Sequence, residues 1–248
     1  FSNCSSLIDL NVSNFNTSKV TSMSNMFTNC YLLKKLDLSS FDTSNVTNMG
    51  GMFYGCKNLT QLDLSNFDTS NVTGMNSMFN GCNNLTTLDL SNFNTSKVVT
   101  MSFMFDGCTN LENLNLSSFN TSNVTTMYSM FSELSISKLD LSNFDTSNVT
   151  DMSSMFYECK NLIQLDLSNF DTSKVTKTGS PYGMFYGCKN LKTIYVSDLW
   201  NMSNVTNSVN MFYNCSSLTG AVPFDSTKTD VSMANYTTGY LTYKKNTN

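Results

Sequence analysis

The 248-residue chain contains no arginine and no histidine, and all 14 of its basic residues are lysines. Without arginine there is no planar fork for bidentate capture of phosphate or carboxylate. Without histidine the usual general base and the commonest neutral metal ligand are missing. These absences count against most hydrolytic and metal chemistries, so neither an enzyme nor a bound cofactor is expected. Charge is scarce as well: 13% of residues are charged and the net charge is -4. Nucleic-acid binding needs a basic face, and none is available. No run approaches the roughly 18 apolar residues of a membrane-crossing helix, so membrane insertion by this stretch is not expected. No basic segment followed by an apolar core opens the chain, so no leader is visible in it.

What the chain has instead is repetition. Cysteines stand at Cys4, Cys30, Cys56, Cys82 and Cys108, each 26 residues from the last, and then at Cys159, Cys188 and Cys215. Leu134 occupies the slot between Cys108 and Cys159, which are separated by two units with one residue deleted. The later intervals of 29 and 27 residues imply short insertions, one in Thr178-Gly179-Ser180-Pro181-Tyr182-Gly183 and one near Trp200. Phe1-Ser2-Asn3-Cys4 match the end of a unit, so the array is expected to continue N-terminally as part of a longer protein.

A representative unit is LTQLDLSNFDTSNVTGMNSMFNGC, from Leu59 to Cys82. Leu62-Asp63-Leu64 alternates with period two, the pattern of a short half-buried strand. Asp68-Thr69-Ser70-Asn71 is turn chemistry, because short polar side chains bond nearby backbone. Met75, Met78, Phe79 and Cys82 follow i, i+3, i+4, i+7 spacing, which predicts one or two turns of α- or 3-10 helix. Gly81 and its counterparts Gly55, Gly107, Gly187, Asn29 and Asn214 suit a left-handed end to that helix, and Glu133 and Glu158 suit it less well. One unit cannot bury its nine apolar side chains alone. Stacked units can, with the leucine strands pairing in parallel about 4.8 Å per coil. The expected fold is a leucine-rich-repeat-type β-solenoid of about eight coils over residues 1–217. A capping segment, 218–248, would cover the last coil with Tyr236, Tyr240, Leu241 and Tyr243.

Units such as LDLSSFDTSNVTNMGGMFYGCKNL, from Leu36 to Leu59, resemble the 26-residue repeat of BspA-like leucine-rich-repeat surface proteins. The subgroup they resemble was first described as a Mycoplasma domain of unknown function. The resemblance runs over residues 1 to 218 and extends to Asn235-Tyr236-Thr237-Thr238-Gly239-Tyr240. It implies bacterial, or sometimes protozoan, display on the cell surface and a role in adhesion. It carries no shared catalytic residues.

Several columns of the repeat are candidate sites. The cysteine column, Cys4, Cys30, Cys56, Cys82, Cys108, Leu134, Cys159, Cys188 and Cys215, has no CxxC spacing and tolerates a leucine, which favours a buried core over disulfides or metal. The paired methionines and phenylalanines, such as Met52-Phe53, are read as core for the same reason of spacing. The middle strand position gives an outward column of Asn11, Asp37, Asp63, Asp89, Asn115, Asp140, Asp166 and Tyr195, either a solvated stripe or a binding face. Thr21, Thr47, Thr73, Thr125, Thr150, Thr176 and Thr206 precede the helical turn and read as N-caps. The Thr17, Thr43, Thr69 and Thr172 column suits local turn bonding, with an ice-binding ladder as a distant alternative. Pro181, Tyr182 and Trp200 mark the insertions, where specific recognition would lie. The expected function is an extracellular module that binds a protein or glycan on another cell or matrix. A passive spacer is the alternative.

Overall fold

The computed structural model describes residues 1–246. Each unit closes one coil, and the coils stack in parallel. Parallel bridges join Ser22, Asn48, Gly74, Thr100, Thr126, Asp151, Lys177 and Asn207 in one line through eight successive coils. Regular strands are short: β1 is Thr87–Asp89, β2 Asn113–Asn115, β3 Gln164–Asp166, β4 Thr193–Val196 and β5 Thr242–Tyr243. They form two parallel sheets, β1-β2 and β3-β4-β5, rather than the single continuous sheet expected. The coil between the two sheets is the one with the deletion, and it carries no strand. Residues 36–38 and 62–64 keep the in-out alternation without regular strand pairing.

The expected helical turns are absent: among the described residues the one helix is a 3-10 turn, Val231–Met233. The segments with helical spacing are runs of tight turns. Met26, Thr28 and Cys30 donate their N–H to Met23, Asn25 and Phe27 three residues back. The alternate N–H groups of Met23, Asn25, Phe27 and Asn29 instead reach the next coil, for instance Phe27 to the carbonyl of Met52 at 2.9 Å. In an α-helix every interior N–H stays within its own segment. Here the neighbouring coil offers aligned acceptors, and both schemes place i, i+3, i+4 and i+7 on one side. Met75, Met78, Phe79 and Cys82 are accordingly all fully buried. Most coils have two residues with a positive φ, as the second central position of a type II turn requires, and the coil of Gly187 has one. One column is Asn29, Gly55, Gly81, Gly107, Glu133, Glu158, Gly187 and Asn214; the other, unforeseen, runs through Asn25, Gly51, Ser77, Phe103, Ser129, Ser154 and Asn210.

The core is a set of aligned side-chain stacks. Phe27, Phe53, Phe79, Phe105, Phe131, Phe156, Phe185 and Phe212 form an unbroken ring stack, with centroids 5.5 to 5.8 Å apart and planes within 12°. Each thiol donates to a phenylalanine carbonyl one coil earlier, as Cys82 does to Phe53 at 3.2 Å and Cys159 to Phe131 at 2.9 Å. Burial pushes the thiols of Cys56, Cys108, Cys159 and Cys215 up to about 12. A small apolar residue with one weak donor suits that slot. Cys4 departs from the buried column, since it is exposed.

The Thr43 column is buried rather than displayed. Thr43 Oγ1 donates to the Asp68 carbonyl at 2.9 Å and accepts from the Asp68 N–H at 2.8 Å. Thr69 treats Asn94 in the same way. The Thr47 column has no helix to cap; its hydroxyls bond the preceding coil, as Thr73 Oγ1 does to the Thr47 carbonyl at 3.2 Å. At the far end Tyr240 is fully buried, meets the Phe212 ring edge-on at 5.4 Å and donates its hydroxyl to the Lys228 carbonyl. Leu241 is buried beside it, and β5 pairs with β4.

Candidate recognition surface

The strand-face column is placed outward as expected, but most of its members have a local task. Asn11, Asp37, Asp63, Asp89, Asn115, Asp140 and Asp166 each accept, through Oδ1, the N–H of the serine two residues on, at 3.0 to 3.1 Å. This Asx turn bends the chain out of the strand and serves Asp and Asn equally. Bonds from Ser39, Ser65 and Ser91 hold the carboxyls of Asp37, Asp63 and Asp89 below their usual range. At Asp166 burial pushes the carboxyl up, but the Lys244 ammonium and Ser168 outweigh it and the net shift is downward. Lys244 pairs with Asp166 and lies 5.9 Å from the Tyr195 ring, so the chain's C-terminal segment flanks that end of the column. Further along, a shallow trough of about 790 Å³ runs past Asp63, Asp89, Asn115 and Asp140.

The insertions separate in the structure. Trp200 is a core residue, not a recognition loop: it is buried, and its indole N–H donates to the Ala234 carbonyl at 3.1 Å. The capping segment supplies that partner, 34 residues further along the chain. Pro181 and Tyr182 are exposed. Tyr182 stacks on Tyr157 at 4.5 Å and lies 5.5 Å from Tyr186, which in turn stacks on Tyr213 at 4.7 Å. Tyr182 and Tyr213 are 45% and 47% exposed, so the four rings make an aromatic patch in contact with water. Tyr195 and Trp200 are not part of it.

Sequence reasoning points to Tyr182 alone among these four rings. The signal of the other three is the position after each buried phenylalanine, which reads Thr28, Tyr54, Asn80, Asp106, Ser132, Tyr157, Tyr186 and Tyr213. Three consecutive tyrosines close that column, and the insertion adds a fourth. Desolvation, followed by the Glu158 charge, raises the Tyr157 hydroxyl. At Tyr186 desolvation again leads, followed by Tyr213. Both phenols therefore stay protonated donors at neutral pH.

Stacked coils, short parallel strands and an inward leucine face define a leucine-rich-repeat solenoid. The chain belongs to the family described as Mycoplasma protein of unknown function, DUF285, which matches residues 1–87, 57–136, 83–195 and 134–248. A solved leucine-rich repeat protein from Bacteroides ovatus superposes with a TM-score of 0.54 at 19% sequence identity. That match covers 90% of this chain and 63% of the other, so the chain spans under two thirds of that protein. No curated protein matches the chain.

Proposed function

We propose that the chain is a rigid repeat module, displayed outside the cell, that binds a protein or glycan on another cell or matrix and so serves adhesion. The observation that carries this reading is the tyrosine cluster. Tyrosine is enriched at interfaces, where it offers a large contact area and a polar tip at little ordering cost. Exposed clusters of such rings on a single chain mark interaction sites. Its position on a backbone fixed by coil-to-coil bonds lowers the ordering cost of association.

A second reading, the passive spacer, draws support from the strand-face column, because the Asx turns account for its Asp and Asn residues without any ligand. Ice binding is set aside, since the Thr43 column is buried and the Thr47 column bonds the preceding coil. The test is a binding screen of the purified chain against immobilised matrix proteins and a glycan array. Two variants accompany it: Tyr182→Ser/Tyr213→Ser and Asp63→Asn/Asp89→Asn/Tyr195→Ser. A saturable hit lost only in the first supports the cluster. Loss only in the second moves the site to the strand face, and silence from the native chain favours the spacer.

A further inference from the structure

The tyrosine cluster adjoins carboxylates. Tyr157 directly precedes Glu158, and Glu133 holds the position of Glu158 one coil earlier. Glu133 and Glu158 take positive φ angles of 59° and 56° where four other coils have glycine. A side chain there costs backbone energy that glycine avoids, and what it adds is a carboxylate. Glu133, Glu158 and Tyr157 line one depression of about 470 Å³, together with Lys160 and Asn161. Burial raises the Tyr157 hydroxyl, and the charges of Glu158 and Glu133 push it the same way. Both carboxylates are therefore within electrostatic reach of the ring that joins the depression to the cluster.

The ammonium that lines this depression is already engaged, because Lys160 bonds Glu158 at 2.7 Å. Glu133 makes no ion pair among the described residues. Elsewhere the chain seats its own lysines on tyrosine. Lys57 Nζ lies 4.9 Å from the centroid of the Tyr31 ring, and Lys244 Nζ lies 5.9 Å from that of Tyr195. Both distances are within the range of a cation–π contact. Among the described residues these are the two such contacts, and neither falls on the cluster. The cluster thus offers water-exposed ring faces beside a carboxylate that no ammonium of the chain offsets.

We infer that the cluster and this depression dock a basic segment of a partner protein, whose lysine or arginine side chain enters between Glu133 and the Tyr157 ring. A cation over a tyrosine face gains from the ring quadrupole, and a carboxylate near the same cation adds to the attraction. A lysine or arginine also carries an apolar stem, which the Tyr157 ring can cover. A neutral sugar or an apolar segment would meet the rings but gain nothing from Glu133. The inference rests on the recognition role proposed for the cluster, and it names the partner's chemistry.

The test is fluorescence anisotropy of a labelled flexible peptide of lysine, arginine, glycine and serine, titrated with the full chain at physiological salt. A neutral counterpart carries acetyl-lysine and citrulline at the same places, which removes the charge. The basic peptide is expected to saturate and to bind more than about tenfold tighter than the neutral one. Tyr182→Leu/Tyr213→Leu keeps apolar area but removes two ring faces, and it should weaken the basic peptide about fivefold. Glu133→Gln should weaken it about threefold. Asp42→Asn removes an equal charge several coils away and keeps its turn, as Asn94 does, so it should change nothing. All three variants are expected to keep the native thermal transition. Equal affinity for both peptides, no loss in the tyrosine variant, or the same loss in Asp42→Asn as in Glu133→Gln would each overturn the inference. If the tyrosine-dependent hit in the matrix screen persists while the basic peptide is silent, the basic class fails and the recognition role stands. If both are silent, both fail.

Discussion

The coils from Cys30 to Cys108 and those from Leu134 to Cys215 are built on the same unit, yet they present different surfaces. In the first group the spacing never varies, and the threonine, asparagine and aspartate columns bond neighbouring backbone coil after coil. Its regularity lies in those columns, where one residue type, or the Asp/Asn pair, repeats for one structural task. In the second group a deletion, an insertion and the Trp200 segment interrupt the pattern. There the tyrosines gather, and glutamate stands at two left-handed positions where four other coils have glycine. Strict repetition stiffens the solenoid, and departures from it create places that differ from all others. A binding site specific for one partner therefore belongs among the departures.

The largest expected effect lies in the strict half. Phe79 is stacked on both sides and fully buried, so Phe79→Ala should cost about 3 to 5 kcal/mol in denaturant unfolding. A loss below about 1 kcal/mol would contradict the continuous core. Next comes Thr69→Val, which keeps the shape but strips two bonds from the Asn94 backbone. It should cost about 2 kcal/mol, because a buried donor and acceptor lose their partners.

A pair of opposite changes sharpens the contrast between the halves. Gly81 has φ of +70°, and a Cβ added there would come no nearer than 3.5 Å to its closest neighbour, the Gly55 backbone, whereas Glu133 holds a similar φ of 59°. Gly81→Glu should destabilise and Glu133→Gly should stabilise, each by about 1 kcal/mol, from the left-handed backbone penalty. Thermal unfolding of the two single variants checks both signs, and equal signs would refute the argument that strain is kept beside the cluster.

The smallest effect is electrostatic. The carboxyls of Asp37, Asp42, Asp63, Asp68 and Asp89 are all held below their usual range by serine bonds in the folded chain. Their stabilisation is present above the unfolded pKa of about 4 and is lost as pH falls through the lower folded values. Asn94 and Asn115 make the same turn without a titrating group. Replacing Asp63 and Asp89 by asparagine should therefore flatten the acid limb of the stability profile, measured by urea unfolding between pH 2 and pH 6 at about one-unit steps.

Much of this was legible in the sequence, because an unvarying period makes each position a column and each column an environment. The inward leucines, methionines, phenylalanines and cysteines, and the outward aspartates, follow from that alone. The backbone of the Met-Phe segment did not, since consecutive type II turns and a short helix share the same apolar spacing. What separates them is a neighbouring coil that accepts alternate N–H groups, and no single unit shows it. Trp200 was misplaced because its partner Ala234 belongs to the capping segment. Of the tyrosine cluster only Tyr182 stands out in the sequence, because the cluster gathers residues from three coils and one insertion.

The central claim is that one sealed core runs from the first complete coil to the cap. The most direct test is the rate at which the eight free thiols of the native chain react with a maleimide probe, mapped residue by residue. Cys4, which is exposed, should react at once, while the buried Cys56 through Cys215 react only as fast as the protein unfolds. Modification of Cys82 or Cys108 at the rate of Cys4 would contradict the stacked-coil account.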